Sequence, residues 1–185
     1  MQFDPATVRT QFDSPLGAIT LAATSHGLAG VWFNGQRHQP NWIAWREDDQ
    51  HPVLQRAVRQ LREYLGGERR VFELPLDLRA GTAFQQSVWR ALVQIAPGST
   101  CSYGTVAARV GRPNALRAVG AAIGRNPISI VVPCHRVLGA RGALTGYAGG
   151  LQRKAALLTL ESGAADGPID AAAIGANASA ATIAA

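Results

Sequence analysis

Lysine is almost absent from this chain of 185 residues: Lys154 is the only one, and every other basic residue is arginine. Cysteine is nearly as scarce. Cys101 and Cys134 make neither a disulfide framework nor a four-ligand zinc site, so no structural metal is expected. In a reducing compartment both should be free thiols. No stretch approaches the roughly 18 uninterrupted apolar residues of a membrane span. The opening Met1-Gln-Phe-Asp-Pro5 has neither the charged nor the apolar region of a signal peptide. A cytoplasmic protein without a membrane partner is the expectation. Charged residues make up only 16% against 47% hydrophobic, which excludes a disordered chain and leaves a globular one with a real core.

The charge that is present is one-sided. The net charge is +6, and the final segment contributes only the acids Asp166 and Asp170, so the rest is more basic still. Arginine-rich basic surfaces suit phosphate binding. A GC-rich genome that codes arginine cheaply would leave the same composition, and composition alone does not separate the two.

Hydrophobic periodicity divides the chain. Val8–Phe12, Ala18–Ala23 and Leu28–Phe33 alternate as strands of a β-meander, broken at Asp13–Gly17, Ser25–Gly27 and Asn34-Gly35. Residues 36–50 are polar and irregular, with Trp42 and Trp45. Pro52 suits a first helical turn, and Val53, Leu54, Ala57, Val58, Leu61 and Leu65 share one face of a helix that Gly66-Gly67 ends. Val71–Leu78 is a further strand. Residues 1–80 thus read as an α+β scaffold with no convergent polar groups. Residues 81–162 read as mainly helical: Thr82 caps Ala83–Ile95, Ser102 caps Tyr103–Val110, and Asn114 opens a helix that runs to about Gly124. The last two suggest a helix-turn-helix. The second is unusual, because Ala115, Ala118, Gly120, Ala121, Ala122 and Gly124 surround Arg117. Interior glycine costs about 1 kcal/mol against alanine, which close helix packing or close approach to a DNA groove would offset. A final helix over Leu151–Glu161 turns Ala155, Leu157 and Leu158 inward and leaves Arg153 and Lys154 to solvent. The Ala- and Gly-rich residues 163–185 read as a disordered tail.

The chemistry-bearing stretch is Ser129-Ile-Val-Val-Pro-Cys-His-Arg-Val137. Its apolar run reads as a buried strand stopped by Pro133, which delivers Cys134, His135 and Arg136 to the rim of a rigid element. A cysteine reacts as its thiolate and needs a base. Adjacent residues of an extended chain face opposite ways, so a water between thiol and imidazole fits better than a direct dyad. Glu161 is a candidate to orient the imidazole. An isolated Cys-His pair is more often structural than reactive. Arg136 can tie down the following glycine-rich loop or touch a substrate, and that loop, Leu138–Gly150, reads as a pocket wall or a mobile lid.

Asn126-Pro127, Ile130-Val-Val-Pro-Cys-His-Arg-Val137, Thr145-Gly-Tyr-Ala-Gly-Gly150 and Arg117-Ala-Val-Gly120 resemble the O6-alkylguanine-DNA alkyltransferase family. Phe84-Gln-Gln-Ser-Val-Trp89 and Ser102-Tyr-Gly104 fit as well, and Ser14-Pro-Leu-Gly17 and Leu76-Asp-Leu-Arg79 fit more loosely. The resemblance implies an α+β fold in which a ribonuclease H-like N-terminal domain precedes a winged-helix-like one. It implies single-turnover repair of O6-alkylguanine, and less well O4-alkylthymine, in double-stranded DNA held through the minor groove. No cofactor and no obligate protein partner is implied. Cys134 would accept the alkyl group, His135 would deprotonate it through water, Glu161 would orient His135, and Asn126 would support the turn. Tyr103 would donate to the base. Backbone groups near Val137 and Ala148 would bind its edge, and Tyr147 would wall the pocket. Arg117 would fill the gap left by the flipped nucleotide, with Asn114, Ala115 and Ala118 beside it in the groove. Some members carry an N-terminal zinc site that this cysteine-poor N-terminus lacks. Others carry a serine where Ala148 stands. Gly149, without a side chain, would leave room for bulkier adducts.

Overall fold

The computed structural model describes residues 1–163 and Ile169. The expected tail, 163–185, therefore lies outside the described residues apart from Gly163 and Ile169, whose N–H donates to the Leu65 carbonyl. Three antiparallel strands form the meander, β1 (Val8–Ser14), β2 (Gly17–Thr24) and β3 (Gly27–Phe33). Register pairs Phe12 with Ile19 and Leu21 with Val31, which stacks the apolar residues of the alternating pattern on common faces. A two-residue strand, β4 (Arg46–Glu47), joins β1 in parallel, so the order is β3-β2-β1-β4. Helix α1 (Pro52–Leu65) packs on β1, β2 and β3 and buries Leu54, Ala57, Leu61, Tyr64 and Leu65. The irregular tryptophan-rich segment has a structural use: Trp42 and Trp45 gather with Phe3 around Trp32, ring centroids 5.7–6.1 Å from it.

Residues 71–78 do not form the expected strand. Only Leu76 bridges to Leu28, because Pro75 has no N–H to donate and its carbonyl accepts from the Leu28 N–H instead. A second isolated bridge joins Val31 to Ile128: the Val31 N–H donates to the Pro127 carbonyl and the Ser129 N–H to the Val31 carbonyl. Strand β3 is thus an edge strand whose open hydrogen bonds are taken by two distant parts of the chain, one of them leading into the Cys134 turn. All seven of its residues are buried.

The second half packs helices against one another. Helix α2 (Ala83–Val93) begins in a capping box, Thr82 accepting from the Gln85 N–H and the Gln85 side chain from that of Thr82. After β5 (Cys101–Ser102) come α3 (Tyr103–Arg109), capped by Ser102, and α4 (Leu116–Gly124). Asn114 caps nothing: α4 starts two residues later, at Leu116, with Ala115 as its N-cap, and the connection between the helices is six residues long rather than the three between Val110 and Asn114. Trp89 Nε1 donates to the Ala122 carbonyl and ties α2 to α4. Strand β6 (Val137–Leu138) pairs in parallel with β5, and α5 (Leu151–Ser162) closes the chain. Among the described residues, no helix is long and apolar enough to cross a membrane.

Gly30 lies in β3 where an added Cβ would run into the Trp32 ring. Gly30→Ala should therefore lower unfolding stability in urea by about 1–3 kcal/mol, the usual cost of overpacking. A midpoint equal to wild type would show that the Trp32, Trp42 and Trp45 rings can shift to admit it.

Candidate active site

The stretch before Cys134 is buried, as its composition demands, but it is not a strand. Ile130 adopts a left-handed conformation, φ 71°, and the chain doubles back through a tight turn. Asn126 holds that turn. Its Nδ2 donates to the carbonyls of Val132 (2.8 Å) and Ile128 (3.4 Å) and to Cys134 Sγ (3.1 Å), while its Oδ1 accepts from the Ile128 N–H. An apolar run that bridges once to β3 and then reverses needs those carbonyls satisfied from a side chain, and a buried asparagine supplies both donor and acceptor.

Cys134, His135 and Arg136 form a single turn of 3-10 helix. They do not stand at an open rim. Their exposures are 5%, 0% and 5%. His135 Nε2 lies 2.9 Å from Glu161 Oε1 on α5, and no other polar contact is made by the ring: Nδ1 is buried and has no partner among the described residues. With Nε2–H donating to the carboxylate, Nδ1 is left as the basic nitrogen. Arg136 neither ties down the glycine-rich loop nor faces open space. Its Nε and one terminal nitrogen donate to the two oxygens of Glu161 at 2.8 and 2.7 Å, and the other terminal nitrogen donates to the Ile95 carbonyl. The Gly98 N–H adds a donor to Glu161 Oε2 at 3.2 Å, and the Tyr64 hydroxyl, from α1, donates to Oε1 at 2.6 Å. Though burial works the other way, the donors around it, His135 and Arg136 foremost, hold the Glu161 carboxyl well below the usual carboxylate range. The scaffold half therefore does carry a convergent polar group, Tyr64.

Burial pushes the Cys134 thiol above its ordinary value, against the lowering influence of the Asn126 amide, the Lys154 charge and the backbone N–H groups of Cys134 and His135. The resting residue is a protonated thiol, and attack requires a base. Burial, joined by the Arg136 and Lys154 charges, lowers His135 despite the raising influence of Glu161, so the imidazole is neutral near pH 7 and its free Nδ1 can take a proton. The Cys134 thiol and the His135 ring make no direct hydrogen bond.

Lys154 was expected in solvent and is fully buried instead. Its Nζ donates to the carbonyls of Val137 and Thr145, both at 2.6 Å. It pins the glycine-rich loop to β6 and sets a cation near Sγ with no carboxylate partner among the described residues. A helical wheel assigns lysine to water by default; only the fold shows two carbonyls waiting for it. Arg153 lies over the Phe33 ring, 4.5 Å from its centroid, and donates to the carbonyls of Leu16 and Gly149.

The remaining site residues surround the same loop. Tyr103 on α3 directs its hydroxyl to the carbonyls of Thr145 and Gly146 (3.5 and 3.4 Å), and burial raises its titration. The Tyr147 ring is buried, with a hydroxyl also raised by burial. Ala148 accepts at its carbonyl from the Arg37 N–H, 3.1 Å away. The place a Gly149 side chain would take is filled by the Tyr147 and Phe33 rings, so this glycine leaves no free room for a larger ligand. Asn114, Arg117 and Ala118 are exposed and Ala115 is half-buried, at or just before the start of α4; the buried face of α4 is Val119, Ala122 and Ile123. Among the described residues, no group of three or more His, Cys, Asp or Glu is placed to hold a metal ion.

Two family models divide the chain between them. "6-O-methylguanine DNA methyltransferase, ribonuclease-like domain" matches residues 7–78, and "6-O-methylguanine DNA methyltransferase, DNA binding domain" matches residues 83–163. A methylated-DNA--protein-cysteine methyltransferase of Mycobacterium tuberculosis is 50% identical over 149 residues, 80% of this chain and 88% of its own. One from Methanosarcina acetivorans is 48% identical over 151 residues, 81% of this chain and 95% of its own. The crystal structure of Mycobacterium tuberculosis OGT in complex with DNA is similar at a TM-score of 0.78 and 46% identity, covering 89% of this chain and 96% of that one.

Lys154→Met keeps the length of the side chain and removes its charge. Because that charge lowers the Cys134 thiol, the midpoint for thiolate formation should move to higher pH, read from the pH dependence of Cys134 alkylation by iodoacetamide. An unchanged midpoint would mean that Lys154 only packs the loop.

Proposed function

The chain belongs to the 6-O-methylguanine DNA methyltransferase family, and from that premise we propose that it repairs DNA directly, taking the alkyl group of O6-alkylguanine onto Cys134 in a single irreversible turnover. O4-alkylthymine is the lesser substrate. The observation that carries this is the buried relay, a protonated thiol beside a neutral imidazole whose free Nδ1 faces no protein partner and whose Nε2 is held by Glu161. A water between Sγ and Nδ1 passes the thiol proton to His135. Sγ attacks the alkyl carbon, the new S–C bond forms as the C–O6 bond breaks, and the guanine leaves with the proton the thiol gave up. The thioether has no route back, so one protein repairs one lesion.

In this scheme residues 1–80 are the scaffold and residues 81–162 carry DNA binding and alkyl acceptance. Asn126 sets the Cys134 turn. Tyr103 donates to the departing base and offsets the negative charge that develops on it as the C–O6 bond breaks, and the Val137 and Ala148 backbone reads the base edge with the Tyr147 ring as a wall. Ala148 has no hydroxyl, so any donor to O6 there is a backbone N–H. Arg117 enters the duplex where the nucleotide left it, since a planar cation restores part of the lost stacking and pairing. The exposed small face of α4 supports a minor-groove approach. An added Cβ at Gly124 would meet nothing within 4 Å and one at Gly120 only the Tyr103 ring at 3.8 Å, so internal packing demands neither glycine. The acceptor must stay a free thiol, which suits the cytoplasm. No cofactor and no obligate protein partner enters the scheme.

Mixing the protein with duplex DNA containing O6-methylguanine should add one methyl group per molecule on Cys134, seen by intact mass and peptide mapping. Product beyond one equivalent would point to a hydrolase, and an unmodified Cys134 would sink the transferase altogether. Cys134→Ser should abolish transfer and leave duplex binding intact.

Arg117→Ala should slow repair of duplex DNA by roughly 10- to 100-fold, because flipping costs a few kcal/mol that the guanidinium partly offsets. Reaction with free O6-benzylguanine base should be largely unchanged. Equal loss of both reactions would remove Arg117 from the flipping step.

A further inference from the structure

Glu161 Oε1 accepts from three donors at once: Tyr64 Oη at 2.6 Å, Arg136 at 2.7 Å and His135 Nε2 at 2.9 Å. Two of these belong to the Cys134 turn. The third comes from α1 of the N-terminal half, 97 residues earlier in the chain. We propose that Tyr64 is a positioning residue of the alkyl-transfer relay, supplied by the N-terminal half, whose hydroxyl sets how much of the Glu161 charge His135 feels. This rests on the proposed function above.

Tyr64 is 1% exposed, and its ring packs against Phe72 with centroids 5.1 Å apart, so the hydroxyl is delivered by a rigid helix and is not free to swing away. Burial, and then the neighbouring Glu161 charge, raise its titration far beyond the physiological range, so it stays a neutral donor throughout. A carboxylate oxygen has about two lone-pair sites. Three donors on Oε1 therefore compete, and the shortest contact is the one with Tyr64. Charge density drawn toward Tyr64 is withheld from His135, which favours the neutral imidazole that the relay needs. The other charged groups near this pair are Arg136, which donates to both Glu161 oxygens; Lys154 on α5, which disfavours the imidazolium; and Arg70, which donates to the Glu161 backbone carbonyl at 3.4 Å. All of these charges remain in place when the Tyr64 hydroxyl is removed.

Tyr64→Phe keeps the ring and deletes only the donor. The Glu161 charge then falls more fully on His135, the imidazolium is stabilised, and the acid limb of the single-turnover methyl-transfer rate moves to higher pH. One hydrogen bond of this kind corresponds to a factor of roughly 3 to 10 in an equilibrium constant. On the acid limb, Tyr64→Phe should therefore react about 3- to 10-fold more slowly than wild type, and the two rates should converge as pH rises. A role confined to packing would lower the rate or the melting temperature equally at every pH and leave the limb in place. NMR titration of the His135 ring in unreacted wild type and Tyr64→Phe supplies a readout independent of the reaction, and its midpoint should also rise. Coincident limbs with coincident His135 midpoints would overturn the role of Tyr64. A wild-type protein that transfers no methyl group would instead overturn the proposed function, while the NMR comparison still decides whether Tyr64 governs His135.

Discussion

Taking a carboxylate out of water costs several kcal/mol, and Glu161 is 5% exposed, so it can stay ionised only if its oxygens are nearly saturated by donors. The structure meets that demand with four residues from three parts of the chain. Arg136 supplies a fork, His135 an imidazole N–H, Gly98 a backbone N–H and Tyr64 a hydroxyl. Remove the carboxylate and Arg136 becomes an unpaired buried cation, His135 loses its orientation, and the last helix loses its link to α1. The electrostatic requirement of one side chain is therefore also what joins the two halves at the thiol.

The same economy explains why the thiol is hidden. A permanently ionised, exposed cysteine would react with any electrophile and oxidise readily. Here burial keeps Cys134 protonated, while a neutral His135 stands ready to take the proton when attack occurs and the Asn126 amide and the Lys154 charge favour the thiolate that is left. A residue spent after one reaction gains from being held back until a substrate is in place. Lys154 contributes twice, since its two carbonyl bonds also hold the loop that carries Tyr147 and Ala148.

The N-terminal half is less of a bystander than a scaffold would be. Strand β3 carries the Cys134 turn on its edge through Val31, Phe33 supports Arg153 and fills the space beside Gly149, and the Arg37 N–H caps the Ala148 carbonyl. Each contact fixes backbone on which the acceptor site is built. An open strand edge is normally a liability, and here its exposed hydrogen bonds position chemistry.

Much was legible in the residues alone. Alternation located β1 to β3 within a residue or two, Pro52 and Gly66-Gly67 bracketed α1, and Thr82 and Ser102 marked two helix starts, because these signals are local and act within one turn or one pleat. The Pro-Cys-His-Arg run pointed to Cys134 as the candidate nucleophile, with Glu161 a candidate to orient His135. The misreadings share one cause. Ile130-Val-Val132 is buried enough for a strand, yet Asn126 offers its carbonyls a better partner than a sheet would, and the chain turns. Lys154 looks like a solvent residue until two carbonyls enclose it, and Tyr64 looks like core until Glu161 arrives above it. Side-chain chemistry and short-range periodicity were enough to single out the candidate thiol and to place the meander strands and most helix starts, because those signals are local. Which charges are buried, which hydrogen bonds they make and how the first half of the chain reaches the second became visible in the folded chain alone. Those outcomes depend on desolvation, which a residue experiences only once its distant neighbours have closed over it.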